Sequence, residues 1–229
     1  TVPELTRVML AITAWVAPPD KSCSYCHAAD MASDEIYQKV VARRMLAMVR
    51  NINTNWTAHV ANTGVTCYTC HRGQAVPARV WYINPAEREL PLLGDRALQN
   101  SPSPTVGYAS LPYDPYPSFL LAGHDIKVGS TTALPSGDRQ SIKQAEWTYG
   151  LMMNISAGLG VNCTYCHNTR SFQSWEGNPP QRVKAWHGIR MARSLNNEYM
   201  EPLTASFPDH RKGDLGDVAK INCETCHQG

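Results

Sequence analysis

The chain has 229 residues, 43% of them apolar, a formal net charge of +2 at pH 7 and a mean hydropathy of -0.35. With 21 lysines and arginines against 19 aspartates and glutamates, there is no basic run of the kind that binds nucleic acid. The longest nearly apolar run, Val8 to Ala17, is far short of the roughly 20 residues needed to cross a bilayer.

In chain order, the first predicted element is a helix that starts at Thr1, where Thr1 and Glu4 form a capping-box pattern. It carries Leu5, Val8, Met9, Ile12, Trp15 and Val16 and stops at Pro18-Pro19, just before Cys23-Ser24-Tyr25-Cys26-His27. A second helix, expected to start near Ser33-Asp34, places Val41, Met45, Met48 and Ile52 on one stripe and leads to Cys67-Tyr68-Thr69-Cys70-His71. Residues 85 to 135 then hold eight of the sixteen prolines, which precludes a long helix. This stretch reads as an ordered connector with short strands at Val80–Ile83 and Asp125–Val128, anchored by Tyr108, Tyr113, Tyr116, Phe119, Leu120 and Leu121.

A third helix opens with Ser141-x-x-Gln144 and presents Ala145, Tyr149, Met152, Ile155, Ser156 and Leu159, with Gly158 and Gly160 as stop signals before Cys163-Thr164-Tyr165-Cys166-His167. A fourth follows Pro179-Pro180, carries Val183, Trp186, Arg190, Met191, Leu195 and Tyr199, and precedes Cys223-Glu224-Thr225-Cys226-His227. Met48-x-Arg50-x-x-Asn53-x-x-Trp56 aligns without gaps to Met191-x-Arg193-x-x-Asn196-x-x-Tyr199, which points to a duplicated unit. The expected fold is mainly α: two pseudo-symmetric two-haem halves, residues 1–84 and 141–229, joined by an irregular proline-rich connector, 85–140, in one compact body.

Four Cys-x-x-Cys-His copies use every one of the eight cysteines. Each reads as a c-type haem attachment site, in which two thiols add across the two vinyl groups and the adjacent histidine becomes the proximal iron ligand. A zinc site closes with two such pairs and needs no histidine after each, and a thioredoxin-like motif normally occurs once. The expected cofactors are therefore four covalently attached haem c groups, bound through Cys23, Cys26, Cys67, Cys70, Cys163, Cys166, Cys223 and Cys226, with His27, His71, His167 and His227 on the irons. Eight propionates would take the chain's charge to about -6 with all irons ferrous and about -2 with all ferric. Attachment on this scale implies assembly outside the cytoplasm, so a periplasmic location is expected, with any export signal or anchor upstream of Thr1.

A low-spin haem needs a sixth ligand, usually Met or His. The first helix offers only Met9; the second offers Met45 or Met48, and the third Met152 or Met153, with spacing leaving both choices open. The fourth has Gly188 where the second has Met45. His59, which follows the second helix and has Pro202 as its counterpart, is expected to reach across to the fourth haem, with His187 and His210 as substitutes. His124 reads as a surface or hydrogen-bonding loop residue and Met31 as packing at a helix entry. Arg43, Arg44, Arg72 and Arg170 are candidate propionate partners, and the six tryptophans read as haem-packing core.

These residues resemble the tetrahaem cytochrome c subunit of the photosynthetic reaction centre of purple bacteria. The likeness covers nearly all of the chain and is most specific in Trp147-Thr148-Tyr149-Gly150-Leu151-Met152-Met153, in Gly160 to Asn168, in Phe172-x-Ser174-Trp175 and in Pro180-Gln181-Arg182-x-x-x-Trp186. Cys67 to Gly73, Leu111-Pro112-Tyr113-Asp114-Pro115 and Cys223 to Gly229 also fit. The resemblance implies distal ligands Met9, Met45, Met152 and His59, choosing Met45 over Met48 and Met152 over Met153. It further implies an electron-transfer subunit, not an enzyme, that accepts electrons from a soluble periplasmic donor, cytochrome c2-like or a high-potential iron-sulfur protein. Electrons would then pass to the photo-oxidised special pair, with the reaction-centre core subunits as partners and membrane association through them or through an N-terminal anchor. The competing readings are a free periplasmic multihaem carrier and a multihaem reductase with one open iron site.

Overall fold

A computed structural model of the chain describes residues 1–84, 111, 114–126, 142–172 and 174–228. The described residues are mainly helical. Helix α1 spans Val2–Val16, α2 Tyr37–Asn55, α3 Thr57–Val60, α4 Cys67–His71, α5 Ile142–Leu159, α6 Gln181–Leu195 and α7 Cys223–Cys226. The two strands, β1 (Val80–Trp81) and β2 (Lys220–Ile221), pair antiparallel with Val80 opposite Ile221 and Trp81 opposite Lys220. No described helix is long and apolar enough to cross a membrane.

Local chemistry accounts for most of the boundaries. The Thr1 and Glu4 capping box forms and α1 gives way at Ala17, before the paired prolines. Helix α2 begins at Tyr37, three residues later than the Ser33-Asp34 signal, with Ile36 as its N-cap and Asp34 paired to Lys39 and Arg43 of its first two turns. Helix α6 starts directly after Pro180, and Leu195 passes into a π-helical turn over Asn196–Met200.

The order of elements repeats on either side of residues 85–140. A long helix leads to a 3-10 turn holding the first cysteine of a motif (Ser22–Tyr25, Cys163–Tyr165). Then come a second long helix and a short α-helix made by the next motif (α4, α7). Helix α1 packs on α4 as α5 packs on α7. At the second contact Gly158 lies so close to Glu224 that a Cβ would sit 2.6 Å from its Cγ.

Among the described residues, two clusters make the core. One gathers Trp81, Tyr116, Phe119, Leu120, Leu151, Ile155, Ile189 and Ala192; the other gathers Met48, Ile52, Leu195, Met200, Val218 and Ile221. The anchors Phe119 and Leu120 are buried as expected, in a π-helical turn over Pro117–Leu121. Tyr108 and Tyr113 lie outside the described residues. The strand expected over Val80–Ile83 shrinks to Val80–Trp81, and its partner Lys220–Ile221 was not foreseen. Asp125 and Ile126 form no strand, and residues 127 and 128 lie outside the described set. On α5 the fully buried residue is Leu151, whereas Tyr149, placed on the apolar stripe, is 54% exposed. Met31, expected to pack, is 64% exposed.

Lys220 is the one charged side chain in the core of the described residues, with no exposed surface. Its ammonium pairs with Asp217 and with Glu201 (3.1 Å), donates to the Val218 carbonyl (2.9 Å) and lies 5.5 Å from the centre of the Trp81 ring. Asp217 also accepts from the Ile83 N–H at 2.8 Å, so the ion pair pins both sides of the β1–β2 seam. Removing one partner of a buried pair leaves an uncompensated charge. Asp217→Ala is accordingly expected to cost about 3–5 kcal/mol, seen as a lower denaturant midpoint, and Lys220→Met in the same background should recover part of the loss.

Candidate haem sites

The second and fourth motifs lie on short helices with matching N-terminal caps. Thr66 and Thr69 satisfy one another's backbone, and Asn222 and Thr225 do the same. Helices α4 and α7 pack together, and the structure joins Cys70 to Cys226 in a disulfide, with their Cα atoms 4.4 Å apart. This departs from the expectation of eight thioethers, because a thiol in a disulfide cannot also bond a vinyl carbon. The physical reason is packing: each short helix turns its second cysteine towards the other. The remaining six cysteines are free. Burial raises the thiol pKa of Cys26, Cys67 and Cys166, and pushes Cys223 up to about 12, so these sulfurs keep their protons at neutral pH.

Several expected ligands meet their motifs. Met9 borders one cavity with Cys23, Cys26 and His27. Met45 and Met48 both line an apolar groove with Cys67, Cys70 and His71, bounded by Ile12, Val41 and Val65. The groove encloses about 1240 Å³ counted to its open mouth. Met48 is buried in the second core cluster, while Met45 lies at that cluster's edge. Met152 sits at the border of the first cluster, which also receives Cys223.

His59 is placed most distinctively. Its ring lies 5.9 Å from that of His227, centre to centre, with the planes at 83°. It rests on Gly188, where a Cβ would come within 2.6 Å of its Cε1. Its Nδ1 is 2.9 Å from the Lys184 carbonyl oxygen, and the Lys184 ammonium donates in return to the Ala58 carbonyl at 2.7 Å. The first of these bonds leaves Nε2 free to face a metal. The same logic holds for His71, whose Nδ1 is 2.9 Å from the Gln74 carbonyl. Of the other histidines, His187 packs edge-on against Trp186, and His124 and His210 are exposed.

Electrostatics favour neutral rings. Burial lowers the pKa of His59, His71 and His167, the bonds to carbonyls of Lys184 and Gln74 partly offsetting this in the first two. His227, exposed as a residue, is lowered first by the protein packed around its ring and second by His59. The Nδ1 atoms of His27 and His167 are buried without a hydrogen-bond partner. Neutral imidazoles, protonated thiols and an apolar groove fit haem c; the Cys70–Cys226 bond is the one feature that competes with it.

Around the third motif, the Phe172 ring lies 5.2 Å from that of His167 and Trp175 lies 6.4 Å from Trp186. Arg182 and Arg190 stack on these tryptophans at 4.5 Å. Trp175 is 50% and Trp186 38% exposed, whereas Trp81 is buried. Three of the four candidate propionate arginines have protein partners for their guanidinium groups: Arg43 pairs with Asp34, and Arg44 binds the Glu198 carbonyl and stacks on Tyr199 at 5.0 Å. Arg72 donates to the Cys226 carbonyl at 3.4 Å. The backbone N–H of Arg170 bonds Asn168 Oδ1.

Comparison with known proteins accords with this architecture. Residues 1–229 match the photosynthetic reaction centre cytochrome C subunit family. The photosynthetic reaction center cytochrome c subunit of Rubrivivax gelatinosus is 57% identical over 231 residues, covering 100% of this chain and 63% of that protein. Those of Thermochromatium tepidum and Roseobacter denitrificans are 50% and 39% identical, covering 100% and 97% of this chain. The chain thus spans 56–63% of the length of these relatives. The chain belongs to the family of reaction-centre cytochrome c subunits. A c-type cytochrome family implies covalently bound haem.

The depressed histidine pKa values set a pH dependence. A histidine with a folded pKa below its ordinary 6.5 contributes its full stability above that pH and loses it as pH falls, because the unfolded chain takes up the proton more readily. The direction is the same when the ring's lone pair is given to a metal. Asp114, which burial raises to about 6, works in the opposite sense, losing stability as pH rises from its ordinary 3.8 towards 6, but it is one group against four. The denaturation midpoint is expected to fall between pH 7.5 and pH 5.5. Gly188→Ala should cost about 1–3 kcal/mol at pH 7.5, since the added methyl overpacks against His59, and a denaturant titration measures it.

Proposed function

We propose that the chain is a periplasmic electron-transfer subunit of a photosynthetic reaction centre, carrying four covalently attached haem c groups. The observation that carries this reading is the family match over all 229 residues, which takes in all four Cys-x-x-Cys-His segments. Electrons enter from a soluble carrier, cytochrome c2-like or a high-potential iron-sulfur protein, and leave to the photo-oxidised special pair held by the core subunits. The protein sits at the periplasmic face of the photosynthetic membrane.

All eight cysteines hold haem as thioethers, Cys70 and Cys226 included, and His27, His71, His167 and His227 are the proximal ligands. Met9 and Met45 are the distal ligands at the first and second motifs, supported by the cavity and groove they share with those motifs. Met152 is the distal ligand at the third, on the resemblance alone. His59 serves the fourth. Its ring lies 5.9 Å from that of His227, so the two histidines would hold the same haem iron. Haem supplies a reversible one-electron iron couple, and methionine ligation sets that couple higher than histidine ligation. The chain's own residues hold the ligands still. Lys184 fixes the ring orientation of His59 through its carbonyl, the Gln74 carbonyl does so for His71, and burial keeps both rings neutral. The aliphatic wall of the α2 groove, from Ile12, Val41, Val65 and Ile52, would give the haem an apolar seat.

Flash excitation of membranes containing the protein tests partner and direction together: haem oxidation should follow the flash and reverse on adding reduced soluble carrier. No flash-induced oxidation, with the protein purifying free of bacteriochlorophyll, would favour a free carrier. His59→Ala should convert one haem in four, that of Cys223 and Cys226, to high spin. Intact mass should show four haem additions and no disulfide.

A further inference from the structure

The aligned asparagines of the two repeats do the same job at two places. Asn53 Oδ1 accepts from the Val65 N–H at 2.7 Å and its Nδ2 donates to the Val65 carbonyl at 2.9 Å. Asn196 Oδ1 accepts from the Ile221 N–H at 2.7 Å and its Nδ2 donates to the Ile221 carbonyl at 2.9 Å. Val65 stands two residues before Cys67, and Ile221 two before Cys223, although the asparagines are 12 and 25 residues from their targets. A side-chain amide thus closes on both main-chain groups of a single residue, as a neighbouring strand would.

The next residue in each case, Thr66 or Asn222, is the N-cap of the motif helix, and its N–H bonds Thr69 or Thr225 Oγ1 at 3.0 Å. Amide clamp and capping box follow each other without a gap, so the end of a long helix sets both position and direction of the motif. Before the first and third motifs the corresponding residues, Lys21 and Val161, are held by main-chain bonds to Pro18 and Ser156. The Asn53 clamp also needs Gly64: φ there is +64°, and a Cβ would lie 2.6 Å from Asn53 Oδ1.

We infer that Asn53 and Asn196 are positioning residues for the second and fourth haem segments, fixing the register in which His71 faces Met45 and His227 faces His59. The inference rests on the haem reading above. The hydrogen bonds of the two asparagines go to main-chain groups and not to the expected ligands; each acts through the two residues that precede a motif.

Asn53 is exposed and Asn196 fully buried, where it also donates to the Leu120 carbonyl at 3.1 Å. Asn196 variants risk general unfolding, so the test uses Asn53→Ala and, independently, Gly64→Ala in the haem-loaded protein. Exchange of the Val65 amide hydrogen should speed up by about tenfold, the equivalent of one lost hydrogen bond at the upper end of its usual worth. The reduced variants should bind carbon monoxide at the haem of the second motif, while the other three haems keep their wild-type spectra. Unchanged Val65 exchange, or a loss spread evenly over all four haems, overturns the inference. If the wild-type protein itself lacks haem on Cys67 and Cys70, the haem reading fails instead, and the mass of that peptide separates the two outcomes.

Discussion

Two residues of antiparallel strand govern how the repeats meet. Val80 and Trp81 follow the second motif; Lys220 and Ile221 precede the fourth. Pairing them brings α4 against α7, seats the Trp81 indole N–H on the Ile221 carbonyl at 3.0 Å, and encloses Lys220 beneath the ring. The seam is short, so backbone bonds alone could not hold it. Its register is fixed by the Lys220 ammonium and its two carboxylates, and by Asn196, which binds both main-chain groups of Ile221.

The sequence made the helices legible because their signals are local: capping residues, paired prolines and stripes of Val, Ile and Met. It also made the motifs and the odd histidine legible, because Gly188 breaks the alignment where Met45 stands. The seam was not legible. Two-residue strands leave no alternation to read, and Lys220 in an otherwise ordinary stretch gives no hint of complete burial, which depends on Glu201 and Trp81 joining the nearby Asp217 around it. On α5 the expected stripe packs inward at Met152, Ile155 and Leu159, which lie in or against the first cluster, but not at Tyr149. Periodicity fixes spacing around a helix but not which face the rest of the chain covers, and here Leu151 turned inward while Tyr149 did not. The aligned asparagines were visible as a pattern, but their partners lie at different sequence distances, so only the folded chain reveals the shared task.

Gly188 and His59 illustrate how a repeat becomes asymmetric. Removing a side chain from α6 creates room, and one turn of helix, α3, places an imidazole from the other repeat in that room. The cost is that the site then depends on contacts between repeats, which Lys184 supplies through its carbonyl and its ammonium. Such a site cannot be tuned from one repeat alone.

The approach of Cys70 to Cys226 bears on the order of events in biogenesis. Folding brings together two thiols that are 156 residues apart and leaves them within bonding reach. In an oxidising compartment an oxidant can close such a pair, and a closed pair cannot add to a vinyl group until it is reduced. If both sulfurs are to end in thioethers, the chain must be modified while still extended, or kept reduced until it is. The folded state would then record a sequence of steps: cofactor first, tertiary structure second.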